Sequence, residues 1–352
     1  MTDLPSLQER IRTAAESLGP LRIRGGGSKD FYGGPLEGEP LDVAALSGVC
    51  DYEPTELVIT ARAGTPLAQI AHVLAERGQM LAFEPPLFGG RATLGGAVAA
   101  GLCGPRRAYC GALRDFVLGV EMIDGRGELL RFGGRVIKNV AGFDVSRLLA
   151  GSLGTLGLIT EVTLKTVPQP RAECTLRLEM DQPGALESMT RWATRPIPPS
   201  ATTWHEGLLH VRLSGAEAAV RAARERLGGE IVSGADEYWD AVREQRLDFF
   251  AASQELWRVS LPAPSPPLPL GGPAVIEWGG SLRWLTGPQD GSALRATATR
   301  LGGHATLYRA PAKPAEGPFP PLSAAMRSLH QRLKAVFDPH RIFNRGRLYP
   351  DL

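Results

Sequence analysis

The sequence predicts an α+β protein in two parts, and three observations carry that reading. Two glycine-rich segments, RGGGSK at residues 24–29 and GGRATLGGAVAAGLCG at residues 89–104, both fall in the first half. All six tryptophans, Trp192, Trp204, Trp239, Trp257, Trp278 and Trp284, fall in the second. Between them Pro168 and Pro170 interrupt an alternating strand pattern, which marks a boundary. At 352 residues both parts are long enough to bury a core without disulfides or metals.

Leu7, Ile11, Ala15 and Leu18 recur at helical spacing, so residues 4–18 predict an amphipathic helix ended by Gly19-Pro20. Residues 21–24 alternate as a strand that runs into the first glycine cluster, and residues 41–46 and 57–63 predict further strands. Thr65-Pro66 opens a helix with Thr65 as N-cap and Pro66 at the first helical position; Gly78 stops it. Residues 116–132 predict a hairpin turning at residues 124–127. Residues 145–150 make one or two helical turns, GSLGTLG at 151–157 breaks them, and residues 158–165 close the first part as a strand. In the second part residues 216–227 and 237–249 read as helices, and residues 208–213 and 281–286 as strands, which suits an α+β sandwich. The proline-rich residues 261–273 predict a surface loop, because proline cannot serve a central strand. Residues 325–337 form a last helix, stopped by Asp338-Pro339, and the tail beyond has room to return to the first part.

Composition removes several functions. With 43% hydrophobic and 22% charged residues the chain is globular, and a net charge of +2 with scattered Lys and Arg argues against nucleic acid as a partner. The first twenty residues lack the basic start and apolar core of a signal peptide, and no apolar run is long enough to span a bilayer. A cytoplasmic chain is expected, reaching the inner face of a membrane only peripherally and through partners. Cys50, Cys103, Cys110 and Cys174 show no C-x-x-C spacing, so no zinc ribbon or ferredoxin-type centre is built locally. No metal site is expected, and the thiols are expected to be reduced and mostly buried. Electron chemistry would then need an organic cofactor.

RGGGSK is neither a Walker loop, since Ser28 precedes Lys29, nor a G-x-G-x-x-G opening a long helix. Alone it is as much a tight turn as a phosphate cradle. Two such segments plus GSLGTLG within one 150-residue stretch favour backbone lying against a large, extended, phosphate-bearing ligand.

Taken together, RIRGGGSKDFYGG, the EPP at 84–86, TLGGAVAAGLCGP, YCGALRDFVLGVEMIDGRGE and KNVAGFDVSRLLAGSLGTLGLITEVTLK resemble the FAD-binding domain of the vanillyl-alcohol oxidase and p-cresol methylhydroxylase family. Within it they resemble the FAD-binding subunits of bacterial glycolate-oxidising complexes. The resemblance implies a two-subdomain FAD-binding domain of the p-cresol methylhydroxylase type at 1–170, an α+β cap at 171–315, and a C-terminal helix and tail at 316–352 returning to the FAD domain. It implies that Arg24, Gly25, Gly26, Gly27, Ser28 and Lys29 meet the pyrophosphate. Pro85, Thr93, Leu94, Gly95, Gly96, Ala99, Gly101 and Gly104 would wrap the cofactor body, while Gly151, Ser152, Gly154, Thr155, Gly157 and Ile159 would hold the adenine end. Asn344 would approach the flavin ring, though Arg345 stands where the family pattern has proline. Arg114 and Asp115 match the family's RD, with bracing of the loop an equal reading.

Ser28 occupies the loop in which some relatives attach flavin through a histidine, so non-covalent FAD is implied. The implied partners are a larger FAD-containing subunit, an iron–sulfur subunit and a small 2-hydroxy acid such as glycolate. Relatives that oxidise D-2-hydroxy acids often carry an H-x-G-D-G-N-x-H segment, which this sequence lacks. Three functions therefore stay open: the FAD-binding subunit of a glycolate-oxidising complex, a stand-alone FAD dehydrogenase of another small hydroxy acid or alcohol, and a non-catalytic flavin relay. Such an oxidation needs a base for the hydroxyl and a cation for the carboxylate. His304, Tyr308 and Arg309, with Thr306 on the same predicted strand, are the weak candidates for that cluster, while Arg106 and Arg107 could face phosphates or water.

Overall fold

The computed structural model describes residues 3–134, 144–269 and 272–352. Residues 138–143 of the longest quoted motif, and residues 270 and 271 of the proline-rich loop, lie outside the described residues.

Apolar alternation in the first half builds a five-stranded antiparallel sheet in the order Val49–Glu53, Val58–Arg62, Leu158–Lys165, Val117–Ile123, Leu129–Gly133. Leu158–Lys165 is paired along both sides, and its Val162 and Leu164 are fully buried. The helices Leu67–Ala75 and Leu94–Ala100 pack on this sheet through Leu67, Ile70, Leu74, Leu94 and Val98. Each such side chain contributes about 1.5–3 kcal/mol through removal from water. A short parallel pair, Leu21–Arg24 with Glu39–Asp42, shares a second core with the opening helix Leu4–Ser17 and with Ile342 and Phe343 of the tail. The tail extends that pair, since Leu21 N donates to Ile342 O at 2.7 Å and Asn344 N donates to Leu21 O at 2.9 Å.

The second half forms an eight-stranded antiparallel sheet. Its order is Glu230–Ile231, Ala172–Glu179, Leu208–Gly215, Pro199–His205, Ala274–Glu277, Leu282–Thr286, Leu256–Ser260, His304–Arg309. Helices Gln182–Trp192 and Glu217–Leu227 pack on it through Leu186, Met189, Val220 and Ala223, and helix Gly291–Arg300 through Leu294 and Ala298. Leu256, Val275, Leu282, Trp284 and Tyr308 instead join Tyr32, Ala100, Leu102 and Leu153 in one core, so this sheet is held against the glycine-rich half.

Several elements differ from the sequence reading for identifiable reasons. The strand expected at 41–46 stops at Asp42, whose carboxylate accepts from Ala44 N at 2.9 Å and starts a turn. Pro66, not Thr65, caps the next helix, because the Thr65 hydroxyl donates to Arg62 O at 2.7 Å. The second glycine segment is not a continuous loop: Thr93 caps the helix Leu94–Ala100, accepting from Gly96 N at 3.4 Å. The helix expected at 237–249 is two, Ala235–Arg243 and Asp248–Ala251, with Gln245 at φ 55° between them. The strand Val49–Glu53 escaped notice because none of its residues is fully buried. Of the cysteines Cys50 is exposed and Cys103, Cys110 and Cys174 are half-buried, so the expectation of mostly buried thiols is corrected.

Candidate functional site

The strand Leu21–Arg24 delivers the first glycine cluster to a cavity of about 800 Å³. Arg24, Gly25, Gly26, Gly27, Ser28 and Lys29 all line it. Gly27 turns the chain at φ 67°, and Asp30 N closes the turn by donating to Gly27 O at 3.2 Å. A Cβ on Gly25 would stand 2.4 Å from Thr93 Oγ1, and one on Gly26 would stand 1.5 Å from Arg91 O. These two glycines are therefore required by the neighbouring segment, not by space left for a ligand. What the close approach leaves available is the other side of the backbone. Among the described residues, the N–H groups of Gly25, Gly26, Gly27, Ser28 and Lys29 donate to no protein acceptor. A run of half-buried donors without acceptors suits a pyrophosphate.

Cations stand beside that run. Arg24 Nε lies 3.4 Å from Asp30 Oδ2. Lys29 Nζ donates to Pro86 O at 3.0 Å and lies 5.4 Å from the centre of the Phe88 ring. Burial pulls its pKa down to about 8, with Glu244 opposing the shift.

The helix Leu94–Ala100 and its cap add Thr93, Gly95, Gly96 and Ala99 to the lining of the same cavity, packed beside the first glycine cluster. Its first donors are already used: Leu94 N donates to Thr65 O at 2.9 Å and Gly95 N to Ala63 O at 2.7 Å. The helix thus supplies shape, and Gly95 is small because a Cβ would meet Ala63 Cβ at 2.6 Å. Gly154, Gly157 and Ile159 complete the cavity with Asn344. Asn344 is committed on both ends of its amide, accepting from Ile23 N at 2.8 Å and donating to Leu153 O at 2.6 Å. It positions the wall, and the arginine after it does not disturb that role.

The remaining residues named from the sequence lie outside this cavity. Leu94 is buried in the core of the first sheet. Gly101 ends the helix at φ 64°, packed against Gly151. Gly104 donates to Phe83 O and accepts from Trp278 Nε1 at 3.0 Å. Pro85 lines a groove beside Trp239. Gly151, Ser152 and Thr155 line a second, separate cavity. Sequence reasoning in turn missed Ile23, Val43, Ala63, Leu153 and Arg347, which line the first. Val43 and Ala63 each follow a strand end, a position that could have flagged them. Arg347 is buried and donates to Gly34 O at 2.5 Å and to Tyr32 O, and burial lowers its pKa to about 10.

The weak catalytic cluster is divided by the fold. His304 and Thr306 line the second cavity, whereas Tyr308 is fully buried at a bulge, its ring 5.1 Å from that of Tyr32 and 4.9 Å from that of Trp284. Arg309 donates to Phe250 O at 2.5 Å and braces the backbone. Arg106 faces neither phosphate nor water: it is buried, bonding Glu84 at 3.3 Å, Glu173 at 2.7 Å and Ser214 at 3.3 Å. Arg107 stacks over the Trp278 ring at 4.7 Å. Asp115 accepts from Ala112 N at 2.8 Å, which is the bracing role.

The first cavity thus joins a run of unpaired N–H groups and cations to an apolar end at Ile23, Val43, Ala63 and Ile159, where a flat ring can lie. These residues fit a dinucleotide such as FAD. Comparison with known proteins agrees. The FAD binding domain family matches residues 2–133. Glycolate oxidase subunit GlcE of Escherichia coli is 47% identical over 347 residues, covering 99% of this chain and 97% of that protein. Glycolate oxidase subunit GlcD of Bacillus subtilis is 33% identical over 171 residues, which is 47% of this chain and 36% of that protein. Among solved structures, p-cresol methylhydroxylase with substrate bound superposes with a TM-score of 0.71 at 14% identity, covering 99% of this chain and 87% of that one. The shared fold is the p-cresol methylhydroxylase type.

Proposed function

This chain belongs to the family of glycolate oxidase subunit GlcE, an FAD-binding oxidoreductase family, and from that premise we propose that it is the FAD-bearing subunit of a complex oxidising glycolate or a similar 2-hydroxy acid. The observation that carries the reading is the run of N–H groups from Gly25 to Lys29 without protein acceptors among the described residues, set on a cavity of about 800 Å³. Oxidising a 2-hydroxy acid to the 2-oxo acid removes two electrons and two protons, and bound FAD supplies the two-electron acceptor. Gly25 to Lys29 bind the pyrophosphate, the Leu94–Ala100 helix shapes the adjoining wall, and Asn344 with Arg347 fixes the tail against the cavity. With Ser28 in the loop, the cofactor is held without a covalent bond. The electrons leave through a larger flavin subunit and an iron–sulfur subunit, since Cys50, Cys103, Cys110 and Cys174 lack ligand spacing in this sequence.

The test is to purify the chain, confirm its flavin spectrum, and add glycolate anaerobically, first alone and then with the partner subunits. Bleaching of the flavin band with partners present, coupled to reduction of the iron–sulfur centres, is the expected result. Flavin in this chain that stays oxidised in the assembled, turning-over complex contradicts the electron-transfer role.

A further inference from the structure

The loop that lends Leu153 and Gly154 to the FAD cavity lends Gly151, Ser152 and Thr155 to the second one. This second cavity measures about 1400 Å³ up to its open mouth. It lies between the C-terminal helix Ala324–Phe337 and the edge of the eight-stranded sheet. Among the described residues its wall carries Arg114, Arg147, Arg258, His304, His330 and Lys334, and no Asp or Glu side chain.

Three of these cations are answered from outside the wall. Arg147 pairs with Asp144 at 2.8 Å, Lys334 with Asp338 at 2.8 Å, and Arg114 lies 3.9 Å from Asp115. Arg258 is different. It stands mid-strand, opposite Thr306 and Trp284, is half-buried, and, although the buried Glu277 lies near enough to feel its charge, has no carboxylate within 4 Å among the described residues. Its guanidinium is fixed over the Trp278 ring at 5.2 Å, beside the Tyr32 hydroxyl. Holding a guanidinium by stacking spends little further side-chain entropy when a ligand arrives, and its planar fork matches a carboxylate better than any neutral group. The nearest carboxyl, buried Glu277 on the neighbouring strand Ala274–Glu277, accepts from Trp284 Nε1 at 2.7 Å and is pushed up to about 7 by burial, so it offsets Arg258 only in part and leaves a cavity walled by cations suited to an entering anion.

We propose that this second cavity binds a small carboxylate anion, with Arg258 as the residue that recognises the carboxylate. The cavity argument stands on these residues alone, while the identification of the natural ligand as the 2-hydroxy acid rests on the function proposed above.

Oxalate, a small carboxylate that offers no α C–H to oxidise, is the probe, titrated calorimetrically into the full chain both loaded with FAD and stripped of it. Saturable binding is expected, weakened about tenfold or more by Arg258→Met, since one charge-assisted contact is lost. Arg258→Lys should recover part of the loss, and Arg221→Gln, on the exposed face of the helix Glu217–Leu227, should change nothing. If Arg258→Met does not fold, Arg147→Gln at the mouth should still weaken oxalate severalfold. The proposal is overturned by absence of saturable binding to the folded chain, by wild-type affinity in folded Arg258→Met, or by inorganic phosphate competing as well as oxalate. Oxalate binding by a chain that takes up no flavin would leave this site standing and bring down the FAD reading instead.

Discussion

Gly26 shows how a residue that looks like a ligand contact can be required by the protein itself. A side chain there collides with the carbonyl of Arg91 at 1.5 Å, so Gly26→Val must push the two glycine segments apart. The expected outcome is a chain that folds, judged by tryptophan fluorescence from the six tryptophans of the eight-stranded half, yet copurifies with no flavin. Full flavin content in that variant would show that the loop is not the pyrophosphate site. Lys29 gives the same site a pH signature. Its pKa near 8 means that the ammonium is present at pH 7 and fades as pH rises through 8. FAD affinity should therefore fall between pH 7 and 9, and Lys29→Met should bind more weakly at pH 7 but lose that slope; fluorescence titration of FAD reads both. These two residues were legible in the sequence as a glycine-lysine cluster. Their reasons were not, because Arg91, Phe88 and Glu244 come close only in the fold.

At the scale of elements, the C-terminal helix and tail hold the wall of the first cavity from behind. Lys334 is 1% exposed and Asp338 is not exposed at all; Lys334 Nζ donates to Thr155 O at 2.7 Å and Phe343 O at 3.0 Å, while Asp338 accepts from Ile342 N and Phe343 N. Removing one partner leaves the other charge buried, so Lys334→Met should cost about 3–5 kcal/mol in denaturant unfolding and loosen FAD through the Asn344 that follows. Unchanged stability would mean that the pair does not anchor the tail. Helices were read well wherever one face was apolar, as in Leu4–Ser17 and Ala324–Phe337. The helix Leu94–Ala100 was hidden because Gly95 and Gly96 are poor helix formers, and it survives through the Thr93 cap and tertiary packing. The break at Gln245 had no local signal: it lets Glu244 reach Leu87 N at 3.0 Å and strap the 84–90 segment to the second half.

Across the whole molecule, burial of charge joins the two sheets. Arg106 and Arg212 both reach Glu84, and Glu173 takes a second contact from Arg106, so the segment leading into the helix Leu94–Ala100 is tied to the strands Ala172–Glu179 and Leu208–Gly215. No sequence pattern links residues 84, 106, 173 and 212, and Arg106 was accordingly assigned to phosphate or solvent. FAD itself came from the family resemblance of the ordered motifs, while a large phosphate-bearing ligand was legible in the glycine spacing and many strands in their alternation. Catalytic residues were not, because the polar groups of one predicted strand, His304, Tyr308 and Arg309, are sent to a cavity, a core and a backbone brace. Cofactor content is where all of these scales meet. Flavin released by acid from the purified wild-type chain and quantified by chromatography should be FAD, close to one per chain, wholly soluble and lost in Gly26→Val. Flavin that remains attached to the precipitated protein, or a wild-type chain that neither carries FAD nor takes it up on reconstitution, would contradict the account.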